Sequence, residues 1–442
     1  MNKPSPPAPV TLRQAFWYWL KLGFISFGGP AGQIAMMHAE LVERRRWISE
    51  QRFLHALNYC MLLPGPEATQ LAVYIGWLLH RTRGGLVAGL LFILPSLLML
   101  IGLSWLYMAY GHLPAVAGVM NGIKPAVVAI VLAAAWRIAS RTVRNSLLGA
   151  IALAAFVAIA AFDVPFPAIV LAAALAGVAG ARLWPQFFQP GGAAHGSETS
   201  WGPALIDDHT PTPDHARFSW RRLAVVALAG VAIAAATWLL LAWRFGMQGA
   251  LPQMGWFFTK AALLTFGGAY AVLPYVVQGG VDHYGWLTAP QMIDGLALGE
   301  TTPGPLIMIV AFVGFVGGWT HALFGPGALP AAGVAGATVA ALFTFLPSFV
   351  FILAGGPLVE STRGNLRLTA PLTAISAAVV GVIASLALFF GQHVFFAGGQ
   401  LRPAAIAIGA AAAVALLRYR ADTVKVILAC AAAGLVLSYW HV

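Results

Sequence analysis

Residues 43–52 read ERRRWISEQR, and residues 282–291 read DHYGWLTAPQ. The two stretches hold the same place in an internal repeat. The first is rich in Arg, whereas the second has neither Lys nor Arg. Basic loops are retained on the cytoplasmic side of a membrane. The two stretches are therefore expected on opposite faces, and the halves that carry them in opposite orientation. Inverted homologous halves are a signature of secondary transporters.

The repeat is read from rare residues at a constant offset of 239. Lys21 pairs with Lys260, Phe27-Gly28-Gly29 with Phe266-Gly267-Gly268, Trp47 with Trp286, and Pro64-Gly65-Pro66 with Pro303-Gly304-Pro305. After an insertion of 13 residues between Trp319 and Gly333, the match resumes at offset 252. There Leu94-Pro95-Ser96 pairs with Leu346-Pro347-Ser348, and Ala126-Val127-Val128 with Ala378-Val379-Val380.

Composition sets the medium. Of 442 residues, 60% are hydrophobic and 9% charged, and the mean hydropathy is +0.81. Soluble chains are about 45–50% apolar and about 25% charged, so a water-facing enzyme is excluded. The apolar runs are continuous, as in LVAGLLFILPSLLMLIGLSWLYMAY (86–110), where barrel strands would alternate. The fold class is all-α, a polytopic membrane protein. The net charge of +11 fits basic inner loops better than nucleic acid, for which no reading motif appears. Cys60 and Cys430 define no disulfide framework, and no cleavable signal peptide is evident at the start.

Placing every basic cluster inside gives the domain plan. Residues 1–11 form a tail, 12–182 the first transmembrane half, 183–221 a polar cytoplasmic linker, 222–243 a connecting helix that inverts the second half, and 244–442 that second half. The linker, with five prolines and four acids, reads as flexible, and its His195, His209 and His215 as solvated. Residues 12–38 and 53–80 are each flanked by basic residues on both sides, so each must return to its own face. The simplest solution is nine full spans with four re-entrant hairpins; the alternative counts about thirteen spans.

The hairpins break at FGG and PGP. Non-helical backbone at membrane depth is tolerated where it is buried in protein or lines a cavity. A helix that restarts there, with Pro30, Pro66 or Pro305 in its first turn, aims free N–H groups and partial positive charge inward. That is an anion site. The candidate substrate-binding residues are Phe27, Gly28, Gly29, Gln33, Pro64, Gly65, Pro66, Thr69 and Gln70, with Phe266, Gly267, Gly268, Thr301, Thr302, Pro303, Gly304 and Pro305. Lys21 and Lys260 are the symmetric cations, which can reach an anion or snorkel to the interface. Glu67, Glu300 and Asp294 are acids inside apolar segments, and such acids default to functional hypotheses. Glu67 and Glu300 are the candidates for proton coupling, because desolvation favours the protonated form of a carboxyl group. For Glu67, capping of its own helix is the equal alternative. No Walker A, HExxH or CxxC motif is present, so no ATP, metal or other cofactor is expected.

FGGPAGQIA (27–35), the Arg-rich stretch ending in Trp47, LLPGPEATQLAVYIGW (62–77), TFGGAYAVLPYVV (265–277) and LGETTPGPLIM (298–308) together resemble the chromate transporter family, in its long-chain two-domain type. The resemblance implies export of chromate across a bacterial inner membrane, driven by the proton motive force and conferring chromate resistance. It makes sulfate the expected competitor, since both are tetrahedral dianions. An oxyanion exchanger or anion channel on the same scaffold stays open, as does, more distantly, a membrane-embedded reductase. A homodimer is left open too.

Overall fold

The computed structural model describes residues 7–27, 29–188, 201–208, 210–211, 213–266, 268–361, 369–397 and 400–440. Gly28, Gly267, His195 and His209 lie outside the described residues.

All four motifs interrupt helices. In the first half α1 (Leu12–Ile25) stops before FGG and α2 (Gly29–His38) restarts from it; α3 (Glu50–Leu62) stops before PGP and α4 (Glu67–Tyr110) restarts from it. Then come α5 (Pro114–Thr142), α6 (Ser146–Phe162) and α7 (Phe166–Leu183). The connector is α8 (Trp220–Phe245). The second half repeats the order with α9 (Ala250–Leu263), α10 (Ala269–Val277), α11 (Ala289–Thr301) and α12 (Ile309–Thr320), the last preceded by a 3₁₀ turn at Leu306–Met308. It ends with α13 (Leu329–Ser361), α14 (Thr369–Phe395), α15 (Pro403–Leu417) and α16 (Thr423–Trp440). One short antiparallel pair, Phe396–Ala397 with Gln400–Leu401, joins α14 to α15.

The repeat extends to local detail. A π-helical turn follows α2 at Ala39–Arg44 and α10 at Gln278–His283. The N-caps of α3 and α11 are the repeat partners Ser49 and Thr288, whose hydroxyls accept from the N–H of Arg52 and Gln291, each at 3.3 Å. Such caps satisfy donors that the first helical turn leaves open. α4 is sharply kinked at His80 (φ −136°, ψ 31°) and Arg81 (φ 56°, ψ −156°). Its two arms fold back on each other so closely that a Cβ on Gly76 would collide with the carbonyl of Gly84. The same fold-back in the second half is made by α12 and α13, which cross at Gly314 and Gly336.

α4, α5, α7, α8, α13 and α14 are long and apolar enough to cross a membrane, and α6, α12 with its preceding 3₁₀ turn, α15 and α16 are apolar but shorter. The chain is a multi-pass membrane protein. The arms that leave PGP are its most enclosed parts: Ala68 to Leu78 and Ile309 to Gly318 are buried without interruption. α8 is the opposite case, with Gly230 its buried residue, set against Val350 of α13.

The sequence halves do not form two separate bundles. α5 of the first half packs on α15 and α16, and α14 of the second half packs on α6 and α7. Small residues permit these crossings. Gly118 and Gly122 of α5 face Gly434 of α16, and Gly177 of α7 faces Pro371 of α14.

The segment expected to be a flexible linker is corrected over its described part. Ile48 and Ile206 form a parallel bridge, and the N–H groups of Leu205 and Ile206 donate to the carbonyls of Arg46 (2.9 Å) and Trp47 (3.1 Å). Ser49 Oγ donates to Asp208 (2.5 Å), and Arg52 Nη2 to the carbonyl of Thr210 (2.5 Å). Ala204, Ile206 and Ala216 are buried, which gives a polar segment its apolar anchors. His215 is half-buried rather than free in solvent. Its ring donates to the carbonyl of Trp77 at 3.1 Å and meets the Trp77 ring edge-on.

Burial pushes the His215 imidazole below the ordinary histidine range, against the opposing hydrogen bond to Trp77. The docked state thus favours the neutral ring. The contribution of His215 to docking is full above about pH 6.5 and is lost as the pH falls through the lowered value. Amide exchange in 201–217, corrected for intrinsic rates, is expected to be faster at pH 5.5 than at 7.5, and His215→Gln to remove most of that difference. Equal protection at both pH values would refute the assignment.

Candidate functional site

The four breaks use glycines with positive φ: Gly29 (68°), Gly65 (123°), Gly268 (99°) and Gly304 (104°). Side-chain-bearing residues rarely adopt this conformation. At Gly65 and Gly304 there is no room either. A Cβ on Gly304 would lie 2.6 Å from the Cβ of Ser96, and one on Gly65 would run into the Ser348 hydroxyl. Gly29 and Gly268 face open space.

The breaks dock crosswise between the halves. Gly304 N–H donates to the carbonyl of Ser26, just before the first FGG, at 2.9 Å; Gly65 N–H donates to the carbonyl of Thr265, just before the second, at 2.8 Å. Each PGP is therefore held by the FGG of the other half. Gln33 braces one crossing, its amide donating to the carbonyls of Gly304 (2.5 Å) and Ser26 (3.3 Å). Gln70 braces the other, donating to the carbonyl of Pro64 at 2.7 Å.

This changes several expected roles. The N–H groups of Gly65 and Gly304 are spent on protein carbonyls. Thr301 and Thr302 turn their hydroxyls back to Leu298 and Gly299, a local alternative open to any helical threonine. Pro64, Pro66, Pro303, Pro305 and Thr69 belong to the enclosed crossings. Phe27 and Phe266 flank the breaks.

A cavity of about 640 Å³ opens beside the crossings. It is lined by Gly29, Pro30 and Ala31 at the start of α2, by Gly268, Ala269 and Tyr270 at the start of α10, and by Glu67 at the start of α4. Three helix N-termini thus converge on one space. The fourth expected end does not reach it. Where the first half has Glu67, the second has Leu306, buried in a 3₁₀ turn. Glu300, at the end of α11, also lines the cavity, and Tyr270 donates a hydrogen bond to its carboxylate. Glu67 has no hydrogen-bond partner among the described residues, so it does not cap α4 through its side chain. The cavity reaches the basic end of the molecule at Arg137 and Arg141.

A second cavity, about 1180 Å³, is lined by Lys260, Gln278 and Asp282. The two spaces are related as the repeat is. The first is walled by the end of α5 and the α15–α16 turn, the second by the end of α14 and the α6–α7 turn.

The symmetric lysines are not brought to the breaks. Lys21 is exposed on α1, opposite its buried face. Lys260 stands at the second cavity with its ammonium 5.6 Å from the Trp256 ring centre. Asp294 is buried at 3% exposure and lies between Tyr107, which donates to it at 2.9 Å, and Lys124, at 3.4 Å.

Sequence reasoning missed Ser26, Thr265, Tyr270, Arg137 and Glu360. Ser26 and Thr265 could have been found, since they are repeat partners beside FGG. Glu360 sits next to Ser-Thr-Arg and reads as a loop residue, but α13 carries it inward to an ion pair with Arg52 (3.7 Å) and a hydrogen bond from Tyr74.

The family model described as Chromate transporter matches residues 13–178 and 252–435, two segments whose starts differ by the repeat offset. The chain is 33% identical to a chromate transport protein of Pseudomonas aeruginosa, over 87% of this chain and 82% of that protein. It is 30% identical to a chromate transport protein of Cupriavidus metallidurans, over 87% and 86%. It is 28% identical to a probable chromate transport protein of Synechococcus elongatus, over 87% and 85%. No solved structure matches.

Proposed function

The chain belongs to the chromate transporter family, and from that premise we propose that it exports chromate from the cytoplasm across a bacterial inner membrane, driven by the proton motive force. The observation that carries this reading is the convergence of the α2, α4 and α10 N-termini on one cavity beside the crossed breaks. Helix N-termini offer N–H donors and positive potential to an oxyanion. The basic end, with Arg137 and Arg141, is assigned to the cytoplasm, so this cavity loads from inside and the opposite one opens outside. We count nine full spans, with the FGG and PGP segments as four hairpins. α1–α2 and α3 with the first arm of α4 return to the inner face; α9–α10 and α11–α12 return to the outer face.

Glu67 and Glu300 tie protons to the anion, so a proton that leaves with it moves against the pH gradient, and the electrical part of the proton motive force supplies the drive. Ionised, they repel a dianion from the cavity they share; protonated, they leave the helix ends to it. The membrane potential acts on the cargo directly, at about 2.3 kcal/mol per charge per 100 mV, outward for a dianion when the inside is negative. The buried hydroxyls of Ser26, Thr69 and Ser96, which have no partner among the described residues, supply donors along the crossings. We place alternating access at the crossings, where two backbone hydrogen bonds join the halves.

The test is uptake of labelled chromate into everted vesicles under an imposed potential and pH gradient. Uptake that needs the protein and responds to both is expected. No uptake under either gradient overturns the reading. Uptake that ignores protons and follows voltage or trans-sulfate would make it a channel or a sulfate exchanger.

A further inference from the structure

The outer end of the molecule is poor in basic residues, yet two of them share one small cavity. Lys124 of α5 and Arg402, just before α15, line a space of about 220 Å³ together with His393 of α14 and Asn121 of α5. Two cationic side chains, an imidazole and an amide around a space of this size suit a small oxyanion with a few waters. Lys124 is also held by Asp294, its ammonium 3.4 Å from the Oδ2 that accepts from Tyr107. The other oxygen of Asp294 is buried without a partner among the described residues.

We propose that Lys124, Arg402, His393 and Asn121 form an outer oxyanion-binding site, where the departing dianion competes with Asp294 for Lys124. The inference rests on the export reading and adds to it an exit site remote from the FGG and PGP breaks. A tetrahedral dianion can bridge the Lys124 ammonium and the Arg402 guanidinium. Asp294 holds Lys124 in place when the site is free and draws it back as the anion leaves, so the pair sets the affinity low enough for release.

Chromate–chromate exchange measured from each side of the membrane tests this, with right-side-out vesicles reading the outer site and everted vesicles the inner one. Arg402 is exposed and its side chain holds no element in place, so Arg402→Gln should fold. It is expected to raise the outer half-saturation about tenfold and leave the inner value within about twofold. Asp294→Asn keeps the shape and the acceptor for Tyr107 but frees Lys124. It is expected to lower the outer half-saturation severalfold, whereas a merely structural role for the ion pair predicts weaker binding or loss of protein. Lys124→Arg should keep the site. An unchanged outer value in Arg402→Gln, or no gain in Asp294→Asn, overturns the proposal. If the wild type moves no chromate, the export reading fails by itself. Titration of chromate and sulfate into purified wild type and Arg402→Gln then reads the outer site directly, and equal affinities reject it.

Discussion

Gly304→Ala is expected to abolish transport and lower the thermal midpoint of the purified protein. Gly268→Ala is expected to lower the midpoint less than Gly304→Ala does, while weakening anion binding. The contrast arises from the surroundings of two glycines with similar φ. At both, a side chain at so large a positive φ costs about 1–3 kcal/mol. Only at Gly304 does the new Cβ also meet Ser96, at 2.6 Å, and forced packing of this kind adds about 1–3 kcal/mol. The crossing cannot give way easily, because Gly304 N–H is tied to Ser26 and its carbonyl to Gln33. At Gly268 a Cβ meets nothing within 4 Å, so the methyl group only narrows the mouth of the inner cavity. A Gly304→Ala protein with a wild-type midpoint and full transport would show that the crossed breaks do not hold the centre together.

Glu300→Gln is expected to flatten the pH dependence of chromate binding from the inner side. In the wild type, binding should tighten as the pH falls, because protonation of Glu300 and Glu67 removes negative charge from the cavity the dianion enters. Each ionised carboxylate so placed should weaken a dianion about tenfold or more. The substituted amide mimics the neutral carboxylic acid at every pH, so the Glu300 share of the pH dependence disappears and the share due to Glu67 remains, with the link between anion and proton movement weakened. Glu67→Gln should have the same sign and weaken coupling more than binding. A helix-capping role predicts a different outcome, with lower stability and unchanged coupling. Thermal midpoints and proton-to-anion flux ratios, measured on both variants, separate the two. Retention of the full wild-type pH profile in both variants would remove these carboxylates from the coupling mechanism.

Much of the candidate site was legible because its signals are local. The Phe–Gly–Gly and Pro–Gly–Pro motifs recur in pairs inside apolar runs and mark breaks, whereas single Gly–Gly pairs such as Gly84-Gly85 and Gly355-Gly356 stay helical. Glu67 and Glu300 stood out because acids are rare in such runs. Lys21 and Lys260 misled for the same reason. A lysine on a helix is marked by its charge, but whether it faces protein or lipid depends on which side of the helix is packed. Gln33 and Thr301 misled differently. Both types can bond an oxyanion, and both here bond backbone carbonyls, which any sequence supplies equally.

By itself the amino-acid sequence determined the medium, the duplication, the opposite orientation of the halves and the four places where helices break. These come from composition, from spacing and from the Arg-rich loop at 43–52 set against its partner at 282–291, which has neither Lys nor Arg. Only the tertiary structure decided that each PGP rests on the FGG of the other half, that α5 and α14 exchange partners between halves, and that the described residues among 201–217 dock beside α3. The reason is physical. Breaks and charges are properties of short segments, whereas the crossings are made by backbone N–H and carbonyl groups far apart in the chain, and these look the same at every residue until folding sets them face to face.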